Sequence, residues 1–166
     1  MRQSAEAALG PLAKAKILEI IFNDMKPREL SREECMAALA AGKYGRLALS
    51  SEDAPYVVPM SYVYFSNTIY LHSRGRGKKV DFVSKNPRVC FEVDNLDKDR
   101  WSSVLAFGKA NLSSDTEAKA RMFEVFTKKG LGGHGGKQFQ REELEKMDMT
   151  IWEIEIEEMT GREGIW

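Results

Sequence analysis

The sequence predicts a small, mostly antiparallel β-barrel with helices at its periphery. Two observations carry this. From Tyr44 onward, short runs rich in β-branched and aromatic residues follow one another across tight turns. Helical patterns occur only before the first of these runs and in the gaps between later ones, so short hairpin-connected strands dominate the order. At 166 residues the chain is long enough for one domain with its own core.

Taken in order, Pro11 to Met25 places Leu12, Ile17, Ile20 and Ile21 near one helical face. Pro11 suits a first turn, and Pro27 stops the helix. A second helix starts at Ser31, where Ser-Arg-Glu-Glu offers a capping box between the Ser31 hydroxyl and the Glu34 carboxylate. Met36, Leu39 and Ala40 give its apolar face, and Gly42 ends it. Tyr44 to Ser50 reads as a strand, Glu52 to Pro55 as a turn, and Tyr56 to Phe65 as a second strand. Pro59 cannot donate to a ladder, so a bulge, an edge or a strand break is expected there. Ser66-Asn67 turns the chain into a strand from Thr68 to His72. Lys78 to Lys85 is a short helix stopped by Asn86-Pro87. Strands follow at Val89–Val93 and Ser103–Leu112, the latter bending at Gly108, then a helix from Asp115 to Lys128. Met149 to Ile156 alternates, Ile151, Glu153 and Glu155 on one side and Trp152, Ile154 and Ile156 on the other. It reads as a last strand with one buried face.

Lys plus Arg and Asp plus Glu number 25 each, so no overall field draws the chain to nucleic acid or membrane. No apolar run has the roughly 18 residues of a membrane helix, and the expected location is the cytoplasm. Cys35 and Cys90 are the only cysteines and read as structural thiols in a reducing compartment. Two distant histidines and two unpaired cysteines lack the spacing of a zinc site, and no Gly-x-Ser-x-Gly elbow marks a serine hydrolase. Tyr56, Tyr62, Tyr64 and Tyr70 beside a basic cluster would suit base stacking, but hairpins carry tyrosines anyway, and nucleic acid is not an expected partner.

The sharpest local feature is His72-Ser73-Arg74-Gly75-Arg76-Gly77-Lys78-Lys79. It leaves a strand, turns on two glycines and opens a helix with two lysines. Backbone amides at a helix start, a hydroxyl and fixed positive charge are what a phosphate or carboxylate needs; a solvated basic turn has the same composition. The glycine spacing fits neither a Walker loop nor a dinucleotide fingerprint. His72 reads either as an acid–base group or as a strand-end histidine bonded to backbone. The glycine-rich stretch Gly130–Lys137, with His134, reads as a mobile solvent loop or as a lid.

Several runs together resemble the pyridoxamine 5′-phosphate oxidase-like superfamily, most closely its nitroimidazole-resistance flavoprotein branch. They are Tyr44-Gly45-Arg46-Leu47-Ala48, Val58-Pro59-Met60-Ser61-Tyr62, Ile69-Tyr70-Leu71-His72-Ser73, Gly77-Lys78-Lys79-Val80-Asp81, Asn86 to Val93, Ser103 to Ala110 and Ile154 to Gly161. The likeness spans about residues 28 to 162. It implies a six-stranded antiparallel split β-barrel with flanking helices, preceded by a helical extension over residues 1–27.

The resemblance also implies a homodimer with flavin mononucleotide (FMN) between subunits. Val58, Pro59, Met60, Ser61 and Tyr62 would face the isoalloxazine ring. His72 and Ser73 would lie along the ribityl chain and phosphate, within the anion turn that also holds Arg74 and Gly77, and Lys78 and Lys79 would pair with the phosphate. Trp101, Ser102 and Ser103 would come from the partner. The function implied is an FMN-dependent oxidoreductase acting on a small molecule, nitro-compound reduction included, with His72 the best candidate for a catalytic group. The alternatives are a flavin carrier or sensor without turnover, or the same fold holding haem or a deazaflavin. The chain ends Thr-Gly-Arg-Glu-Gly-Ile-Trp, without the Arg-rich end that pyridoxamine 5′-phosphate oxidases proper use for substrate.

Overall fold

A computed structural model describes residues 10–24, 26–128 and 139–166. The elements run α1 (Pro11–Asp24), β1 (Arg28–Glu29), α2 (Arg32–Ala41), β2 (Tyr44–Ser51), β3 (Ala54–Ser61), β4 (Val63–Phe65) and β5 (Thr68–Ser73). They continue as α3 (Lys78–Lys85), β6 (Arg88–Leu96), β7 (Arg100–Ser113), α4 (Thr116–Lys128), α5 (Arg141–Glu145) and β8 (Thr150–Ile165). One antiparallel sheet has the order β3-β2-β6-β7-β8-β5-β4, with β1 added to β8. Its six longer strands are the six expected; β1 and β4 are short additions. The Gly130–Lys137 stretch lies outside the described residues.

Strands β3 and β4 are consecutive in the chain yet stand at opposite edges of the sheet. The chain steps from one edge to the other across Tyr62, which is what leaves the barrel split. Tyr62 is buried at 1% exposure and held three ways. Its amide donates to the Lys43 carbonyl (3.1 Å), its hydroxyl donates to the Leu39 carbonyl of α2 (2.7 Å), and its ring packs edge-on against Phe91 (4.9 Å). The expected single strand Tyr56–Phe65 is therefore broken at Tyr62. Pro59 sits within the edge strand β3, opposite Arg46, where its missing N–H costs nothing.

The local chemistry accounts for the elements. Ser31 caps α2, its hydroxyl accepting from the Glu34 amide while the Glu34 carboxylate accepts from the Ser31 amide. Two tight turns, Glu52-Asp53 and Ser66-Asn67, have both central residues at positive φ, the geometry that matches strand twist. The main core gathers Trp152, Tyr62, Phe91, Leu47, Ile69 and Leu71. A smaller cluster of Ala118, Met122 and Ile151 lies under α4. Strand β8 is consequently buried on both faces at its start, since Ile151 and Trp152 are each at 0% exposure. The expectation of one buried face fails there because α4 covers the second. Lys119 of α4 is buried and donates to the Leu144 and Met147 carbonyls, tying α5 to α4.

β7 and β8 form the spine, paired from Arg100↔Ile165 to Ser113↔Ile151 with one irregularity at Phe107/Gly108. There β8 carries an extra residue, so Glu157 and Glu158 both face solvent before alternation resumes. A Cβ on Gly108 would collide with the Glu155 carbonyl. Gly108→Ala should cost about 2 kcal/mol or more by forcing the two spine strands apart. Thermal unfolding should show this as a fall in Tm of roughly 4–8 °C for a chain of this size.

Candidate functional site

The His72–Lys79 segment becomes a well-defined turn. β5 ends at Ser73, whose hydroxyl donates to the Arg74 carbonyl (2.8 Å) and accepts from the Trp152 indole N–H (3.0 Å). This anchors the turn to the core through a tryptophan at 0% exposure. Gly77 precedes α3 with φ of 111°, and no described residue lies within 4 Å of where a Cβ would stand. Glycine is required by the backbone, and the space above it is open. The Gly77 carbonyl accepts the amides of Val80 and Asp81, and no side chain caps the helix. The amides of Lys78 and Lys79, at the positive end of the helix dipole, have no acceptor within the helix.

Arg74, Arg76, Lys78 and Lys79 cluster here, and none forms an ion pair among the described residues. Every other structural ingredient of an anion site is thus present: donors, an open turn and uncompensated charge. His72 is exposed at the end of β5, its ring 6.3 Å from that of Phe126 in α4.

The fold sets this turn beside the edge strand β3. The rings of Tyr56 (β3) and Phe82 (α3) are 5.3 Å apart, and the Lys78 ammonium lies over Tyr56 at 4.8 Å. Along β3, Val58 and Met60 lean toward the core while Pro59 and Ser61 face outward. Tyr62 stands apart from them. Its side chain is withdrawn beneath α2, and burial pushes its phenol pKa well up. It is a neutral structural group whose amide and hydroxyl are both engaged within the fold.

Trp101, Ser102 and Ser103 lie elsewhere. His72 pairs with Ile151, Ile151 with Ser113, and Ser113 is at the far end of β7 from Trp101. At the rise of an extended strand the separation along β7 is about 40 Å. Two grooves flank Trp101, of ≈ 490 Å³ and ≈ 550 Å³. Lys26, Arg100 and Glu163 line the first, and Leu105, Met159 and Arg162 the second. Within one chain, Trp101 and the Ser73 end of β5 register with opposite ends of β7.

The outer face of the sheet carries a row that the sequence did not single out. By register, Val57, Ala48, Cys90 and Phe107 line up across β3, β2, β6 and β7, with Val57 at 58% and Phe107 at 38% exposure. Beside them Arg46 donates to Glu92 (2.9 Å) and Asp94 (2.8 Å), hydrogen bonds that hold its guanidinium charged. Burial and the Glu92 charge push the Cys90 thiol up, which disfavours its thiolate. No local signal in the sequence groups these residues; the strand register brings them together.

Tyr62→Phe should remove one buried hydrogen bond and orphan the Leu39 carbonyl. The expected cost is about 1–2 kcal/mol, read as a lower urea midpoint with unchanged far-ultraviolet circular dichroism.

The pyridoxamine 5′-phosphate oxidase family model matches residues 31–163. An uncharacterized protein of Rhizobium meliloti (strain 1021) is 32% identical over 142 residues, covering 81% of this chain and 93% of that one. The crystal structure of a FAD-binding protein from Mesorhizobium loti is 30% identical with a TM-score of 0.67, covering 84% of this chain and 99% of that one. A candidate 5-nitroimidazole antibiotic resistance protein from Bacteroides thetaiotaomicron shares the fold, at TM-score 0.71 and 21% identity over 84% of this chain and 90% of that one. The matched segment contains the split sheet, the glycine turn and the outer face, and leaves out α1: this chain belongs to the pyridoxamine 5′-phosphate oxidase family.

Proposed function

We propose that the protein is a flavoprotein that holds FMN between two copies of itself and serves as an oxidoreductase on a small molecule. The observation that carries this is the uncapped start of α3, where four cations that make no ion pair among the described residues surround a glycine turn beside an edge strand. A phosphate fits that donor set, and a planar ring attached to it would reach along β3 toward Val58, Pro59, Met60 and Ser61. The Mesorhizobium loti relative is described as FAD-binding; FAD and FMN share the ring, the ribityl chain and the first phosphate, so the same residues serve either. Bound flavin supplies the electron or hydride transfer. The chain's own contribution is to hold the phosphate through Lys78 and Lys79, to fix the turn through Ser73 and Trp152, and to place His72 at its rim.

The two-copy reading is supported by the placement of Trp101 and the turn at opposite ends of β7, and by the outward row Val57–Ala48–Cys90–Phe107. A second copy laid on that face supplies Trp101, Ser102 and Ser103 from across the interface. Substrate then enters over the ring at the subunit groove.

The purified protein, titrated with FMN, should show flavin absorption bands that bleach when NADH or NADPH is added. Failure to take up flavin overturns the reading, and bands that persist with either donor remove the nicotinamide-driven oxidoreductase. Lys78→Ala combined with Lys79→Ala should weaken FMN by about 100-fold, on the order of 3 kcal/mol for lost charge-assisted bonds, and riboflavin far less. A mixing experiment checks the shared site. The double-lysine variant and Trp101→Ala should each bind FMN poorly alone. Refolded together they should recover one good site per mixed dimer, because one interface then combines intact lysines with an intact Trp101.

A further inference from the structure

We propose that Tyr56 is a positioning residue for Lys78, and through it sets the preference of the site for a phosphorylated over an unphosphorylated flavin; this rests on the flavin reading above. Lys78 opens α3, and its ammonium sits 4.8 Å from the Tyr56 ring centroid and 5.5 Å from that of Phe82. The two rings are inclined at 53° to one another and half-buried against the main core, so they are fixed parts of the wall. A lysine at a helix start ordinarily sweeps through many rotamers. Here two ring faces hold it.

The kind of partner matters. A carboxylate would hold the ammonium and also cancel its charge. An aromatic face attracts the cation through its quadrupole and adds no net charge. Lys78 is therefore oriented while its charge remains available for an anion, and it makes no ion pair among the described residues, Asp81 in the same turn included. Among the described residues, Arg74, Arg76 and Lys79 rest on no aromatic ring. Ordering Lys78 before the ligand arrives lowers the entropy lost on binding, and that gain goes only to ligands that carry the phosphate. Tyr56 itself touches no ligand in this scheme. It acts through Lys78, and its ring rather than its hydroxyl makes the contact.

The test titrates FMN and riboflavin onto the full chain by flavin fluorescence, for the parent, Tyr56→Phe, Tyr56→Leu, Lys78→Ala and the double Tyr56→Leu/Lys78→Ala. Tyr56→Leu should weaken FMN by about fivefold and riboflavin by less than about twofold, and Tyr56→Phe should keep the parent's preference. Added to Lys78→Ala, Tyr56→Leu should change the preference no further, because the two act on one contact. Equal losses for both flavins in Tyr56→Leu would make the ring mere packing and overturn the proposal, as would losses from the two substitutions that multiply. A Lys78→Ala variant with an unchanged FMN-to-riboflavin ratio would also overturn it, yet leave flavin binding standing. Uptake of neither flavin by the parent would sink the flavin reading, and this proposal with it.

Discussion

The architecture depends on a single crossing. Because β3 and β4 are consecutive but occupy opposite edges of the sheet, the backbone at Tyr62 must turn away from one ladder and enter another within one residue. Tyr62 is held from three places: the Leu39 carbonyl of α2 takes the hydroxyl, the Lys43 carbonyl just ahead of β2 takes the amide, and Phe91 of β6 meets the ring. The helix ahead of the barrel is thereby part of its closure. Its capping box, its termination at Gly42 and the tight approach of Gly42 to Tyr62 all serve to place one carbonyl.

That crossing also divides labour within the segment expected to face the ligand. Val58 to Ser61 lie on an edge strand with one side open, while Tyr62 belongs to the core. A motif read as continuous in sequence is thus two environments in space. The anion turn is similarly layered: cations and amides face out, and beneath them the Ser73 hydroxyl and Trp152 indole fix where the turn can stand. The rigid spine of β7 and β8 carries both this anchor and, at its other end, Trp101.

Much of this was legible in the residues. Ser31 and Glu34 announce α2, Gly77 and Asn86-Pro87 bound α3, and Ser66-Asn67 specifies its hairpin, because each is a short-range signal with a local cause. What escaped was set by distant partners. The second half of β8, from Glu157 to Ile165, lost its period where the extra residue at Phe107/Gly108 puts two glutamates in succession on the outside. α5 is five residues, four of them charged, and is held by the Lys119 ammonium from another helix. The basic cluster was visible as a local density of charge. The ring beneath Lys78 was not, since Tyr56 reaches it from a different strand, and the carboxylates that fix Arg46 come from β6.

The open seam has a consequence for how copies of the chain can meet. An eight-residue edge such as β3 invites a foreign strand to add to it, the usual route to fibrils. Pro55 and Pro59 both pair with β2 at positions where no N–H of theirs is needed, opposite Ser50 and Arg46, so the donors they lack are missing from the free side. A docking strand would find gaps in its ladder at a regular spacing. Lateral growth is thereby discouraged at the border where the barrel does not seal itself.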